Sequence, residues 1–166
     1  MASTKREVVS IFVDNQANVL TRVVSLFGRR GFNIDSLTVS ATNDPKLSRI
    51  TVVFAGTDQS LAQIIAQTEK LENVRDIFSL DKEDSLFREL LLVKVETDKE
   101  ERSAIKEIVE IFRGKIIDLS KNSVIVELTG EPSKIDGFMR MIDCYNIVEV
   151  CRTGITAMGR GWEEKE

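Results

Sequence analysis

Arg30-Gly31-Phe32-Asn33-Ile34-Asp35 returns later in the chain as Arg113-Gly114-Lys115-Ile116-Ile117-Asp118, each time behind a helical pattern and ahead of a strand pattern. A corner repeated in this way marks two versions of one structural unit. Outward from the first copy, residues 8–13 form a short, almost wholly apolar run suited to a covered strand. After Asp14-Asn15-Gln16-Ala17-Asn18, the residues Val19, Leu20, Val23, Val24, Leu26 and Phe27 recur at helical spacing. Asn15 or Asn18 can cap this helix, and Gly31 is placed to stop it as a left-handed residue. Past the corner the period falls to two, with Leu37, Val39 and Ala41 facing one way and Ser36, Thr38 and Ser40 the other. Asn43-Asp44-Pro45 turns the chain into a strand at 49–55, Gly56-Thr57-Asp58 leads into a helix buried on Leu61, Ile64, Ile65 and Leu71, and 74–80 is a fourth strand.

The second copy repeats the order. Residues 90–95 form a strand, and Asp98 with Glu101 offers a capping pattern to a helix carrying Ile105, Ile108, Val109 and Phe112 and closed by Gly114. Strands at 116–119 and 124–128 flank a tight turn at Lys121-Asn122. Gly130-Glu131-Pro132 opens a helix with Ile135, Phe138, Met139 and Ile142 on one face, and 147–150 is the last long strand. Two βαββαβ units, each an antiparallel sheet with two helices on one face, make the chain an α+β protein. Their predicted bounds are 6–80 and 88–160, with a linker at 81–87 and a polar tail at 161–166. A single mixed sheet is the competing arrangement, but the polar run Asp81-Lys82-Glu83-Asp84-Ser85 falls where one unit ends.

Composition narrows the function. The 166 residues are 42% hydrophobic and 30% charged, enough for packed cores under a solvated surface. Residues 1–80 carry 9 basic against 8 acidic side chains and residues 81–166 carry 14 against 19, so neither half is a phosphate-binding domain and nucleic acid is not an expected partner. No run approaches a membrane span or a secretory signal, and a cytoplasmic location is the expectation, although a mature organellar form cut from its transit peptide would read the same. Cys144 and Cys151 fit no zinc or redox spacing and are expected in the core. Histidine is absent, and neither a P-loop nor a nucleophile elbow occurs. Gly159-Arg160-Gly161 is only a fragment of a nucleotide fingerprint, and the carboxylates of Glu100-Glu101 and Glu107-Glu110 lie on solvated helix faces. No catalytic residue and no metal ligand set is therefore assigned.

Binding is the remaining task, and one corner suits it. The bend 14–20 joins an apolar strand to a helix start, where free N–H groups at the positive end of the dipole suit a carboxylate and the amides of Asn15 and Asn18 suit an ammonium. Simple capping is the competing reading. The second strand lies at the sheet edge in a βαββαβ unit, yet 37–41 carries neither charge nor proline to block pairing. Pairing with another copy would bring Asn33 and Ile34 of one chain to the helix start of the other.

The string Arg29-Arg30-Gly31-Phe32-Asn33-Ile34-Asp35-Ser36-Leu37 with Leu47-Ser48-Arg49 resembles the small, regulatory subunit of acetolactate synthase (acetohydroxyacid synthase). So do Arg88-Glu89, Leu92-Val93-Lys94-Val95, the run 110–118 and Arg152-Thr153-Gly154-Ile155. The resemblance implies two ferredoxin-like domains, an N-terminal ACT domain and a C-terminal regulatory-subunit domain. It implies a homodimer through the ACT domains that activates a separate catalytic subunit, which holds thiamine diphosphate (ThDP), Mg²⁺ and FAD and serves valine, leucine and isoleucine synthesis. Valine, or another branched-chain amino acid, would be the feedback effector, held by Asn15, Asn18, Val19 and Leu20 of one chain and Asn33 and Ile34 of the other. The family usually has glycine where Asn18 stands, which makes a valine-insensitive activating subunit the alternative outcome. A stand-alone ACT-type sensor is a further alternative.

Overall fold

The computed structural model describes residues 5–161, so of the predicted polar tail only Gly161 is described and the rest lies outside. By contact the described residues divide into two compact units, one of residues 5–86 together with 155–161, the other Phe87–Gly154.

In the first unit, β1 (Lys5–Asp14), α1 (Val19–Arg29), β2 (Ile34–Ala41), β3 (Leu47–Gly56), α2 (Asp58–Thr68) and β4 (Val74–Ser79) form an antiparallel sheet of order β2-β3-β1-β4. β2 is the edge strand expected from the pattern. One sheet face packs Val9, Ile11, Val13, Ile50, Val52 and Phe54 against Val19, Val23 and Phe27 of α1 and Ile64 of α2. Phe27 and Phe54 meet edge to face, centroids 5.5 Å apart, a geometry the ring quadrupoles favour. Gly31 has φ 75° and ends α1 as predicted: its N–H donates to the Gly28 carbonyl and that of Phe32 to the Phe27 carbonyl, the paired bonds of a Schellman turn.

The second unit repeats this plan. β5 (Ser85–Glu96), α3 (Glu101–Ile111), β6 (Lys115–Leu119), β7 (Ser123–Gly130), α4 (Pro132–Ile142) and β8 (Ile147–Arg152) give the order β6-β7-β5-β8. Even the irregularities recur. The edge strands shift register at Ile34/Ser36 and Ile116/Asp118, and the central strands at Phe12/Val13 and Lys94/Val95. Shared bulges at matched places are built features of one duplicated plan.

Four expectations change. α3 closes at Gly114, but the left-handed residue stands one place earlier: Arg113 takes φ 55°, and an added Cβ on Gly114 would sit close to Glu127 O and Val109 Cγ1, each at 3.2 Å. The lettered repeat is thus offset by one residue from the backbone repeat. Cys144 and Cys151 are exposed free thiols rather than core residues, because Cys144 follows α4 in a turn and β8 is an edge strand. β5 begins at Ser85, inside the segment expected as linker. Residues 155–161 group with the first unit, and within them β9 (Thr156–Gly159) pairs with β5, whose first two residues belong to that unit.

Candidate functional site

The end of β1 is bonded to both neighbouring loops. Asp14 N–H donates to Asn73 O at 2.9 Å and Asn15 N–H to Lys46 O at 2.7 Å, while Asn15 Nδ2 donates to Pro45 O at 3.0 Å. Asn15 therefore spends its amide N–H on the β2–β3 turn. Asp14 accepts from Arg75 Nε and Nη2, both at 2.6 Å, a bidentate geometry. Arg75, seconded by Asn73, holds the Asp14 carboxyl below the usual carboxylate range against the opposing effect of desolvation. Asn73 also accepts from Arg22 Nη1 at 2.9 Å, which links this frame to α1.

On that frame stands an uncapped helix. Asn18 occupies the N-cap position with φ 69° and ψ −4°, and its side chain makes no capping bond. A capping side chain reaches the N2 or N3 amide from an extended backbone. Thr57 does so at α2, with φ −108° and ψ 165° and a bond from Ser60 N–H at 3.3 Å. The left-handed turn at Asn18 forfeits that reach. Its carbonyl still accepts from Arg22 N–H at 3.1 Å. The N–H groups of Val19, Leu20 and Thr21 receive no side-chain acceptor from Asn18, and the first turn holds no acidic residue, so the positive end of the helix is not neutralised locally.

Asn15, Asn18 and Leu20 are exposed, whereas the Val19 side chain is in the core and leaves only its main chain to offer. Asn33 is exposed and Ile34 half-buried at the start of β2. These two follow the far end of α1, whose 11 residues span about 16 Å. One chain thus brings Asn15, Asn18, Val19 and Leu20 together and keeps Asn33 and Ile34 apart from them.

The matching corner of the second unit has the same frame and a different cap. Glu96 N–H donates to Asn146 O at 2.9 Å and Thr97 N–H to Asn122 O at 3.0 Å, the counterparts of the Asp14 and Asn15 bonds. Here Asp98 Oδ1 accepts from Glu100 N–H and Glu101 N–H, both at 2.8 Å, and Glu101 Oε2 accepts from Asp98 N–H at 3.2 Å. That reciprocal pair is the predicted capping box. It fills the position that a ligand carboxylate would take. The network of Arg22, Asn73 and Arg75 was not legible in the sequence, because each of its bonds joins residues 51 to 61 positions apart.

Among the described residues, no group of three or more His, Cys, Asp or Glu converges to hold a metal ion, and no helix is long and apolar enough to cross a membrane.

Residues 9–76 match the family described as AHAS small subunit-like ACT domain, and residues 88–161 match the one described as small subunit of acetolactate synthase. The chain is 41% identical over 158 residues to the acetolactate synthase small subunit of Mycolicibacterium smegmatis, covering 95% of this chain and 93% of that one. It is 40% identical over 157 residues to the acetolactate synthase isozyme 3 small subunit of Escherichia coli K12, covering 94% and 96%. The crystal structure of the acetolactate synthase small subunit from Thermotoga maritima superposes with a TM-score of 0.88 at 41% identity, covering 96% of this chain and 99% of that one.

Proposed function

The chain belongs to the acetolactate synthase small-subunit family, and from that premise we propose that it is the cytoplasmic regulatory subunit that activates a thiamine diphosphate-dependent catalytic subunit and places it under feedback by valine or another branched-chain amino acid. The chain has no catalytic activity of its own in this reading. ThDP, Mg²⁺ and FAD belong to the catalytic partner.

The observation that carries the effector site is the contrast between the two corners. Equivalent main-chain bonds build both, but α3 is closed by Asp98 while α1 is left open by the left-handed Asn18. An amino acid's carboxylate supplies the acceptor that the start of α1 lacks, and the exposed Leu20 offers apolar contact to a branched side chain. Asn33 and Ile34 join from a second copy paired along β2, whose side chains from Leu37 to Ala41 carry no charge to oppose pairing. The φ of 69° at Asn18 accounts for the glycine usual in the family. Asn is among the few other residues that tolerate this conformation.

Reconstitution tests the proposal. The purified chain is added to an acetolactate synthase catalytic subunit, and acetolactate formation is followed with and without valine, leucine or isoleucine. Activation by the chain and inhibition by one of the three is expected. Failure to bind or activate the catalytic subunit would remove the regulatory reading, while activation without inhibition by any of the three would remove only the effector site.

A further inference from the structure

The last residues of two sequence motifs with no part in the effector corner lie in the first unit. Arg49 ends the Leu47-Ser48-Arg49 run, and Ile155 ends the Arg152-Thr153-Gly154-Ile155 run. Arg49 sits on β3 opposite Phe12 of β1, with its guanidinium 5.3 Å from the centre of the Phe12 ring, a favourable stacking of cation on aromatic face. Its Nη2 donates to Ala157 O at 2.6 Å. Burial pulls the Arg49 pKa down, and the guanidinium remains a cation.

β2 holds the same segment from its own side. Thr38 Oγ1 donates to Ile155 O and Ile155 N–H donates to Ser36 Oγ, each at 3.4 Å. The side chains of Ile155 and Ala157 are only 2% exposed. At the far end Arg160 N–H donates to Asp84 O at 2.7 Å. Ser36 and Thr38 lie two and four residues beyond Ile34, and Phe12 lies two residues before Asp14. Residues 155–161 are therefore bonded to β2 directly and to β3 through Arg49, whose stacking on Phe12 is the link to β1. The chain enters this strap directly from the second unit, through Gly154 at φ 79°.

We propose that residues 155–161 are a tether that reads the position of β2 and β1 and carries the effector state of the first unit along the chain to the second. The proposal rests on the effector reading above and assigns its output. Arg49 is a positioning residue in it, since it touches the tether and not the effector. A shift of β2 on closing the effector pocket moves the Ser36 and Thr38 hydroxyls that hold Ile155, while Arg49 keeps the strap in register with β1.

Hydrogen exchange on the full-length chain, with saturating valine, leucine or isoleucine and binding followed in parallel by calorimetry, tests the tether. A coupling of the usual size for an effector corresponds to a change of about 5- to 150-fold. Exchange across 153–161 is expected to change by at least about 5-fold on binding, with the amides of α4 unchanged. Binding with no change in 153–161 overturns the tether and leaves the effector site standing, whereas no binding of any of the three removes the site itself. Arg49→Met in the reconstituted complex gives a second readout. It is expected to bind the amino acid within about twofold of the native affinity and to activate normally, with inhibition weakened at least about 5-fold and partly restored by Arg49→Lys. Unchanged inhibition in Arg49→Met would also overturn the proposal.

Discussion

Asn18→Gly separates what the backbone needs at the start of α1 from what the side chain does there. An ordinary L-residue costs about 1–2 kcal/mol in the left-handed region, less for Asn, and Asn18 sits there at φ 69°. Glycine removes that strain but adds about 0.5–1 kcal/mol of unfolded-state entropy. Asn18 makes no capping bond, so none is lost with the side chain. The two terms nearly cancel, leaving a net change under about 0.5 kcal/mol and a Tm within about 2 °C of native for a chain of this length. Asn18→Ala keeps a Cβ and loses the tolerance of Asn, so it should cost about 1 kcal/mol, or roughly 2–4 °C. Calorimetric titration with valine then reads the side chain alone: if the Asn18 amide obstructs the carboxylate, Asn18→Gly binds at least about tenfold more tightly, or about 1.4 kcal/mol. Native binding as tight as that of the glycine variant refutes the obstruction. An alanine variant as stable as the glycine variant refutes the strain.

Three further outcomes follow from the same geometry. Asp98→Ala removes the acceptor for the Glu100 and Glu101 amides and should cost about 1 kcal/mol in urea unfolding while leaving the response to valine unchanged; an altered response would put the effector in the second unit. Arg113→Gly relieves φ 55° and should raise the unfolding free energy measured in urea by roughly 0.5–1 kcal/mol, whereas Gly31→Ala at φ 75° should lower it by about 1–2 kcal/mol. Because Arg75 depresses the folded-state pKa of Asp14, the pair stabilises the fold above the unfolded carboxyl value near pH 4 and loses that contribution as pH falls through the folded value. Asp14→Asn should therefore be less stable than native at neutral pH, with the gap in denaturation midpoint closing below about pH 4.

Regular elements were legible because their signals are local. The helical spacing of Val19, Val23 and Phe27, the pairing of Asp98 with Glu101 and the proline at the start of α4 each report on a few neighbouring residues. What escaped depends on distant partners. Nothing local in Thr156–Gly159 reads as a strand or predicts that Ile155 and Ala157 are buried, since Ser36, Thr38 and Arg49 bind that segment from more than a hundred residues away. The exposure of Cys151 is not legible because a strand pattern such as 147–151, apolar but for Glu149, reads alike in a central and an edge strand, and only sheet order shows that β8 is an edge. Arg113 and Gly114 show a third kind of difficulty: when adjacent residues share a turn, sequence indicates that a left-handed residue is needed without saying which one supplies it.

The two corners also account for the size of signal that such a site can send. Capping a helix start is worth about 0.5–2 kcal/mol, and the second unit takes that stabilisation from its own Asp98. The first unit forgoes it: Gln16 stands where the second unit has Asp98, and the left-handed Asn18 makes no capping bond of its own. In the proposed site a ligand carboxylate would supply the acceptor that Asn18 does not, and a second copy paired along β2 would add contacts over the corner. The differential affinity available to the effector is then of the order of one cap plus the contacts added across the edge of β2. A ligand shifts an equilibrium by no more than its differential affinity for the two states. The energy of one absent cap is already comparable with the 1–3 kcal/mol typical of allosteric coupling, so in the proposed reading the open start of α1 is by itself enough to give an effector its leverage.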